Sequence, residues 1–140
     1  MKSQHILFAV SLSLLLTIRI VPQEIADQNN STKEACIKTL LEGLNTENRG
    51  LQAGCTYMLG ELCCDRGVIT LLDILHNNPS EELRILAALS LYKIGDSRGI
   101  YAIKQSIKFD ESERVSRLCD KFYRAYMQKE NISRFEVAAK

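Results

Sequence analysis

The amino-acid sequence predicts an all-α protein, an α–α superhelix of about three helix pairs laid side by side. Three observations carry this expectation. The stretch LGELCCDRGVITLLDIL (residues 59–75) returns as LYKIGDSRGIYAIKQSI (residues 91–107), and the two align on Gly67 and Gly99, 32 positions apart. At that offset apolar positions recur together at helical spacing: Leu51 with Leu83, Leu59 with Leu91, Val68 with Ile100, Leu71 with Ile103, Leu75 with Ile107. Only two prolines, Pro22 and Pro79, interrupt the chain, so long helices are permitted. One helix pair cannot hide its apolar face alone. Stacked pairs bury a continuous core between two layers of helices.

The elements follow in order. Ser31 with Glu34 forms an S-x-x-E capping box, which predicts a helix over 32–44 in which Leu40, Leu41 and Leu44 answer to Leu71, Leu72 and Leu75. Helices are expected over 47–62 and 66–76, the latter capped by Asp65. Ser80, followed by two acids, starts a helix over 80–94, and Asp96 caps another over 99–109. Asp110 with Glu113 opens a helix over 112–128. Asn131 stands where Gly99 stands one repeat earlier, and Ser133 with Glu136 makes a further box, so a short last helix is expected over 132–139 with Ile132 and Phe135 inward. Ala88 and Leu89 give way to Asp120 and Lys121 in the third copy, as expected for a terminal helix with a wet outer face.

The pattern EELR at Glu81–Arg84, the small pair Ala87-Ala88, KIGD at Lys93–Asp96 and the apolar helix after it resemble HEAT-repeat proteins. The likeness is to the short-repeat type also seen in phycobilisome lyase subunits, and it covers about residues 33–139. It implies a HEAT-repeat solenoid over 32–140. The lyase relatives add a second implication, a chromophore-handling or enzyme-accessory factor, which rests on fold alone.

The N-terminus has a different character. Lys2 precedes an apolar run from Ile6 to Ile18, 13 residues long, the length of the apolar core of a secretory signal and too short to span a bilayer comfortably. Residues 1–22 are expected to be a signal peptide cut between 21 and 26, with 23–31 as a polar linker. The protein is then periplasmic or secreted; the alternative is an uncleaved N-terminal membrane anchor. The full chain carries a net charge of +1. Without residues 1–22 it keeps 16 basic against 17 acidic side chains, a charge of −1. Such a balance excludes a sequence-independent nucleic-acid binder.

Of five cysteines, Cys55 and Cys119 share a repeat position with Ala87 and read as small core residues. Cys63 and Cys64 occupy the turn between layers. In an oxidising compartment a bridge from Cys36 to Cys63 or Cys64 is an alternative to plain turn filler. The spacings do not suit zinc, and no base stands ready to activate a thiol, so no metal, cofactor or catalytic residue is expected. Arg66 and Arg98 read as partners of neighbouring acids along the stack. Tyr92, Tyr101, Phe122, Tyr123 and Tyr126 read as packing residues. The function expected is a non-catalytic scaffold that binds a protein or peptide on its second-layer helices, through Lys38, Glu42, Thr70, Asp73, Lys104, Gln105 and Lys108.

Overall fold

The structure, a computed structural model, describes residues 31–138, with side chains as far as Phe135. The expected signal peptide over 1–22 lies outside the described residues, as does the linker up to residue 30. The chain divides after Lys38 into two units. In the first, residues 31–38 are helical, with Ile37 buried and Cys36 exposed. The second unit, Thr39–Lys140, is all-helical among its described residues.

Within it, the stretch 39–43 is helical. The helices that follow are α1 (Arg49–Glu61), α2 (Val68–Asn77, entered through a 3₁₀ turn at Asp65–Gly67), α3 (Glu81–Ile94), α4 (Ser97–Phe109) and α5 (Glu113–Ala138). Helix α3 packs against α1, α2, α4 and α5; α4 also packs against α2 and α5. Its sequence, EELRILAALSLYKI, explains this centrality, because an element apolar nearly all round must be covered nearly all round. The core is Leu59, Val68, Leu71, Leu75, Leu83, Ala87, Ala88, Leu91, Ile103, Val115 and Cys119, all essentially inaccessible.

The 32-residue period is written into the loops. The Thr46 hydroxyl accepts from the Asn48 N–H (3.2 Å), and the Asn48 side chain accepts from the Leu51 N–H (3.1 Å). One repeat on, Asn78 accepts from the Ser80 N–H (2.9 Å) and Ser80 from the Leu83 N–H (3.5 Å). A further repeat on, Asp110 accepts from the Ser112 N–H (2.8 Å) and Ser112 from the Val115 N–H (3.3 Å). Each is a side-chain turn feeding an N-cap; in α3 and α5 the first apolar residue, Leu83 and Val115, faces the core, whereas Leu51 of α1 is exposed. Two ion pairs, Glu61–Lys93 and Glu82–Arg114 (3.3 Å), join positions one period apart. The repeated glycines have a packing role. A Cβ on Gly67 would stand 3.3 Å from Leu59, and one on Gly99 3.0 Å from Leu91, so each glycine lets a helix close onto the leucine of the one before it.

Four expectations change. The helix over 112–128 does not stop: α5 runs unbroken through Asn131 to Ala138. Ile132 and Phe135 are exposed on it, not inward. The segment MQKENISR holds no Gly or Pro, and one interior Asn costs a helix only about 0.5 kcal/mol, too little to break it. Ser112, not Asp110, caps this helix. Asp65 does not cap α2; it opens the 3₁₀ turn, and no side chain caps either element. As expected of an outer helix, Lys121 is exposed and Asp120 pairs with Arg124 (2.9 Å) one turn on.

The two inter-helix turns differ at one point. Gly95 closes α3 in the left-handed conformation (φ 75°), and its counterpart one repeat earlier is Cys63 (φ 47°). A side chain in that region costs about 1–2 kcal/mol, and glycine's extra freedom when unfolded returns about 0.5–1 kcal/mol of that difference. Cys63→Gly is therefore expected to stabilise the fold by about 0.5 kcal/mol, a rise in melting temperature of roughly 2–4 °C by circular dichroism. A fall would show that the 3.6 Å contact from Cys63 Sγ to the Lys93 carbonyl outweighs the strain.

Candidate functional site

Helices α2 and α4 lie in contact and leave a shallow groove of about 570 Å³ between them. Leu72 and His76 of α2 line it, together with Arg98, Tyr101, Ala102 and Gln105 of α4. The helical period explains the lining. Val68, Leu71 and Leu75 turn the buried face of α2 inward, as Ile100, Ile103 and Ser106 do for α4. Residues 98, 101 and 105 then fall on the opposite side of α4, and 72, 76 and 69 on the flank of α2 beside its buried stripe. Apolar side chains stand among them: Ile69 is 63% exposed and Tyr101 64% exposed, at equivalent positions one repeat apart.

The mouth of the groove at the start of α4 is rigidly built. Asp96 caps the helix through the Arg98 N–H (2.8 Å) and clamps the Arg98 guanidinium, Nε at 3.0 Å and Nη2 at 2.9 Å. Arg98 thus pairs directly within its own turn, and the charge of Asp65 in the preceding repeat adds a weaker attraction. The side-chain hydrogen bonds of Arg98, then the backbone one, hold the Asp96 carboxyl down at about 2 against an ordinary 3.8. The sign follows from a lowered folded value. The stabilisation is present above pH about 4 and is lost as pH falls through about 2. Asp96→Asn is expected to flatten the acid limb of the stability curve between those values, read by thermal melts. An unchanged limb would overturn this account.

The residues singled out by sequence are dispersed. Lys38 is exposed in the first unit, and Glu42 is exposed in the second. Thr70 is half-buried, and Asp73 is exposed and accepts from the Asn77 side-chain amide (2.7 Å). Lys104 is exposed, its ammonium 5.7 Å from the centre of the Tyr123 ring, and Lys108 is exposed. Gln105 lines the groove. Sequence reasoning missed Ile69, Leu72, His76 and Tyr101, and the reading of Tyr101 as a packing residue does not hold. For Ile69 and Tyr101 the signal was an apolar residue outside the helical stripe at the same place in two repeats; Leu72 and His76 answer to Lys104 and Lys108 and carried no such signal. Of the other aromatic residues, Tyr92 and Phe122 do pack, with rings stacked 5.9 Å apart between α3 and α5.

Cys36, Cys63, Cys64, Cys55 and Cys119 are all free thiols in the structure. Cys55, Cys64 and Cys119 are buried, and burial pushes the Cys119 thiol up to about 12, with the Asp110 charge adding to it. A second hollow, of about 460 Å³, opens beside Cys63 between Lys93, Tyr92 and Tyr126, with a lining as polar as it is apolar. Among the described residues no cluster of metal-ligating side chains occurs, and no helix is long and apolar enough to cross a membrane. No family model matches the chain, and a search of curated proteins finds no match either.

Proposed function

We propose that this chain is an exported protein-binding module, a short HEAT-like array of helix pairs that engages a protein or peptide on the face formed by α2 and α4. The observation that carries the reading is the apolar groove between those helices, lined by exposed Tyr101, with Ile69 exposed on the same helix as Leu72 and His76. The array part is supported by the three loops, two ion pairs and two glycine contacts that recur at 32 residues. Export is supported by Lys2 and the apolar run Ile6–Ile18. A shallow site of this size suits one or two anchoring side chains of a partner rather than an enclosed small molecule.

The test is affinity capture from the native exported fraction with the wild-type chain and with Tyr101→Asp. Tyr101 is mostly in water, so the substitution is expected to leave helicity and melting temperature nearly unchanged while removing the captured protein. If the same protein is retained at the same yield, the α2–α4 face is not the binding surface.

A further inference from the structure

Resting on that reading, we propose that the groove's ligand is an acidic amphipathic helical segment, its apolar side chains seated between Leu72 and Tyr101 and its carboxylates against Lys104 and Lys108. The argument is one of charge complementarity. The outward face of α4 carries Tyr101, Lys104 and Lys108, related by three, four and seven residues and therefore on one side of the helix. Among the described residues neither lysine takes part in an ion pair. Lys104 lies against the Tyr123 ring, which holds its ammonium in place without neutralising it. Of the carboxylates on this side, Asp96 is neutralised by Arg98, while Asp73 accepts only from the Asn77 amide and keeps its charge on the α2 edge, so the cationic edge is that of α4. The groove thus offers apolar area with cations along the α4 edge. A helix laid in such a groove presents its anchors at three- and four-residue spacing and its charges on either flank. The chain's overall charge gives no such preference; the asymmetry is local.

The experiment uses two fluorescein-labelled peptides of about 18 residues, long enough to be helical when bound. Both carry leucine on one face; one has glutamate on the other and its twin has lysine. Anisotropy titrations at low salt use the full chain, Tyr101→Asp and Lys104→Glu/Lys108→Glu. The acidic peptide is expected to bind the wild type about tenfold more tightly than the basic one, the sum of two exposed ion pairs. Tyr101→Asp is expected to weaken the acidic peptide by at least that factor, and the double lysine reversal to invert the preference. If both peptides bind equally well, or the basic one better, in a Tyr101-dependent way, the groove remains a peptide site and the acidic assignment falls. If neither binds, the assignment falls and the peptide-binding reading goes with it. Co-sedimentation with phosphatidylglycerol-containing vesicles that is lost in the lysine reversal, with neither peptide bound, would assign the face to a lipid surface instead.

Discussion

Asp110→Ala is expected to destabilise the second unit by about 3 kcal/mol, the largest loss from any polar substitution in it. Asp110 closes α4 through its N–H to the Ser106 carbonyl and starts the turn into α5 through Ser112. Its two carboxylate oxygens also receive Nε and Nη2 of Arg84, each at 3.0 Å, while Nη1 of Arg84 donates to the Asn78 carbonyl (2.9 Å). One fork therefore ties the loop before α3 to the loop before α5. The two side chains are 13% and 7% exposed, so water does little to replace either partner once the other is gone. Loss of the carboxylate leaves a desolvated guanidinium and frees the Ser112 N–H. Breaking a buried pair from one side costs about 3–5 kcal/mol, and the remaining solvent contact places this one at the low end. Arg84→Met/Asp110→Ala together are expected to lose less than the two single changes added. Urea unfolding of the four proteins gives the coupling directly. A single-mutant loss under about 1 kcal/mol would show the fork to be ornamental.

The sequence announced helices most clearly where two signals coincide. Helix α3 begins after Ser80 and stops at Gly95, a cap and a left-handed glycine, and its expected bounds differ from the observed by one residue. Helix α4 begins two residues earlier than its glycine suggested because Asp96 caps at Ser97. The failures arise where the 32-residue offset was followed past the residues that enforce it. Asn131 inherits the place of Gly99 but not its function, since the leucine of the earlier copies is Tyr123 here and lies on the same helix, and α5 continues. At the Cys63–Asp65 turn the offset is sound, yet cysteine takes the glycine conformation and a 3₁₀ turn replaces the cap. The site was half legible. Choosing solvent positions of the second-layer helices named Gln105, which lines the groove, and Lys104 and Lys108, which are exposed on α4 but do not line it. It passed over Ile69 and Tyr101, because an apolar side chain is assigned to a core until its angle around the helix is compared with its neighbours'.

Gly60→Val is expected to cost about 3 kcal/mol, and the contrast with Gly54 on the same helix makes that prediction sharp. Both glycines lie inside α1, where replacing Gly by Ala in isolation gains about 1 kcal/mol of helix propensity. Nothing stands within 4 Å of a Cβ built on Gly54, so Gly54→Ala is expected to collect most of that gain. A Cβ on Gly60 would stand 2.7 Å from Ser90 Cα and 2.8 Å from Ser90 Cβ. Backbone cannot swing aside as a long side chain can, so α1 and α3 must separate. Their crossing is built for close approach: Ser90 is buried, its hydroxyl donates to the Thr56 carbonyl (2.8 Å), and Thr56 in turn donates to the Gln52 carbonyl (2.8 Å). Separation opens that hydrogen bond and loosens Leu59 and Ala87 beside it. Gly60→Ala should lose about 2 kcal/mol in spite of its propensity, and Gly60→Val more, since its second branch meets the same backbone. Ser90→Gly in the Gly60→Ala background removes the Ser90 side chain and leaves its Cα, so it should restore only part of the loss. Thermal and urea unfolding of Gly54→Ala and Gly60→Ala decide the matter by sign: opposite signs confirm that α1 and α3 touch through their backbones at this crossing, and equal gains would mean that they do not.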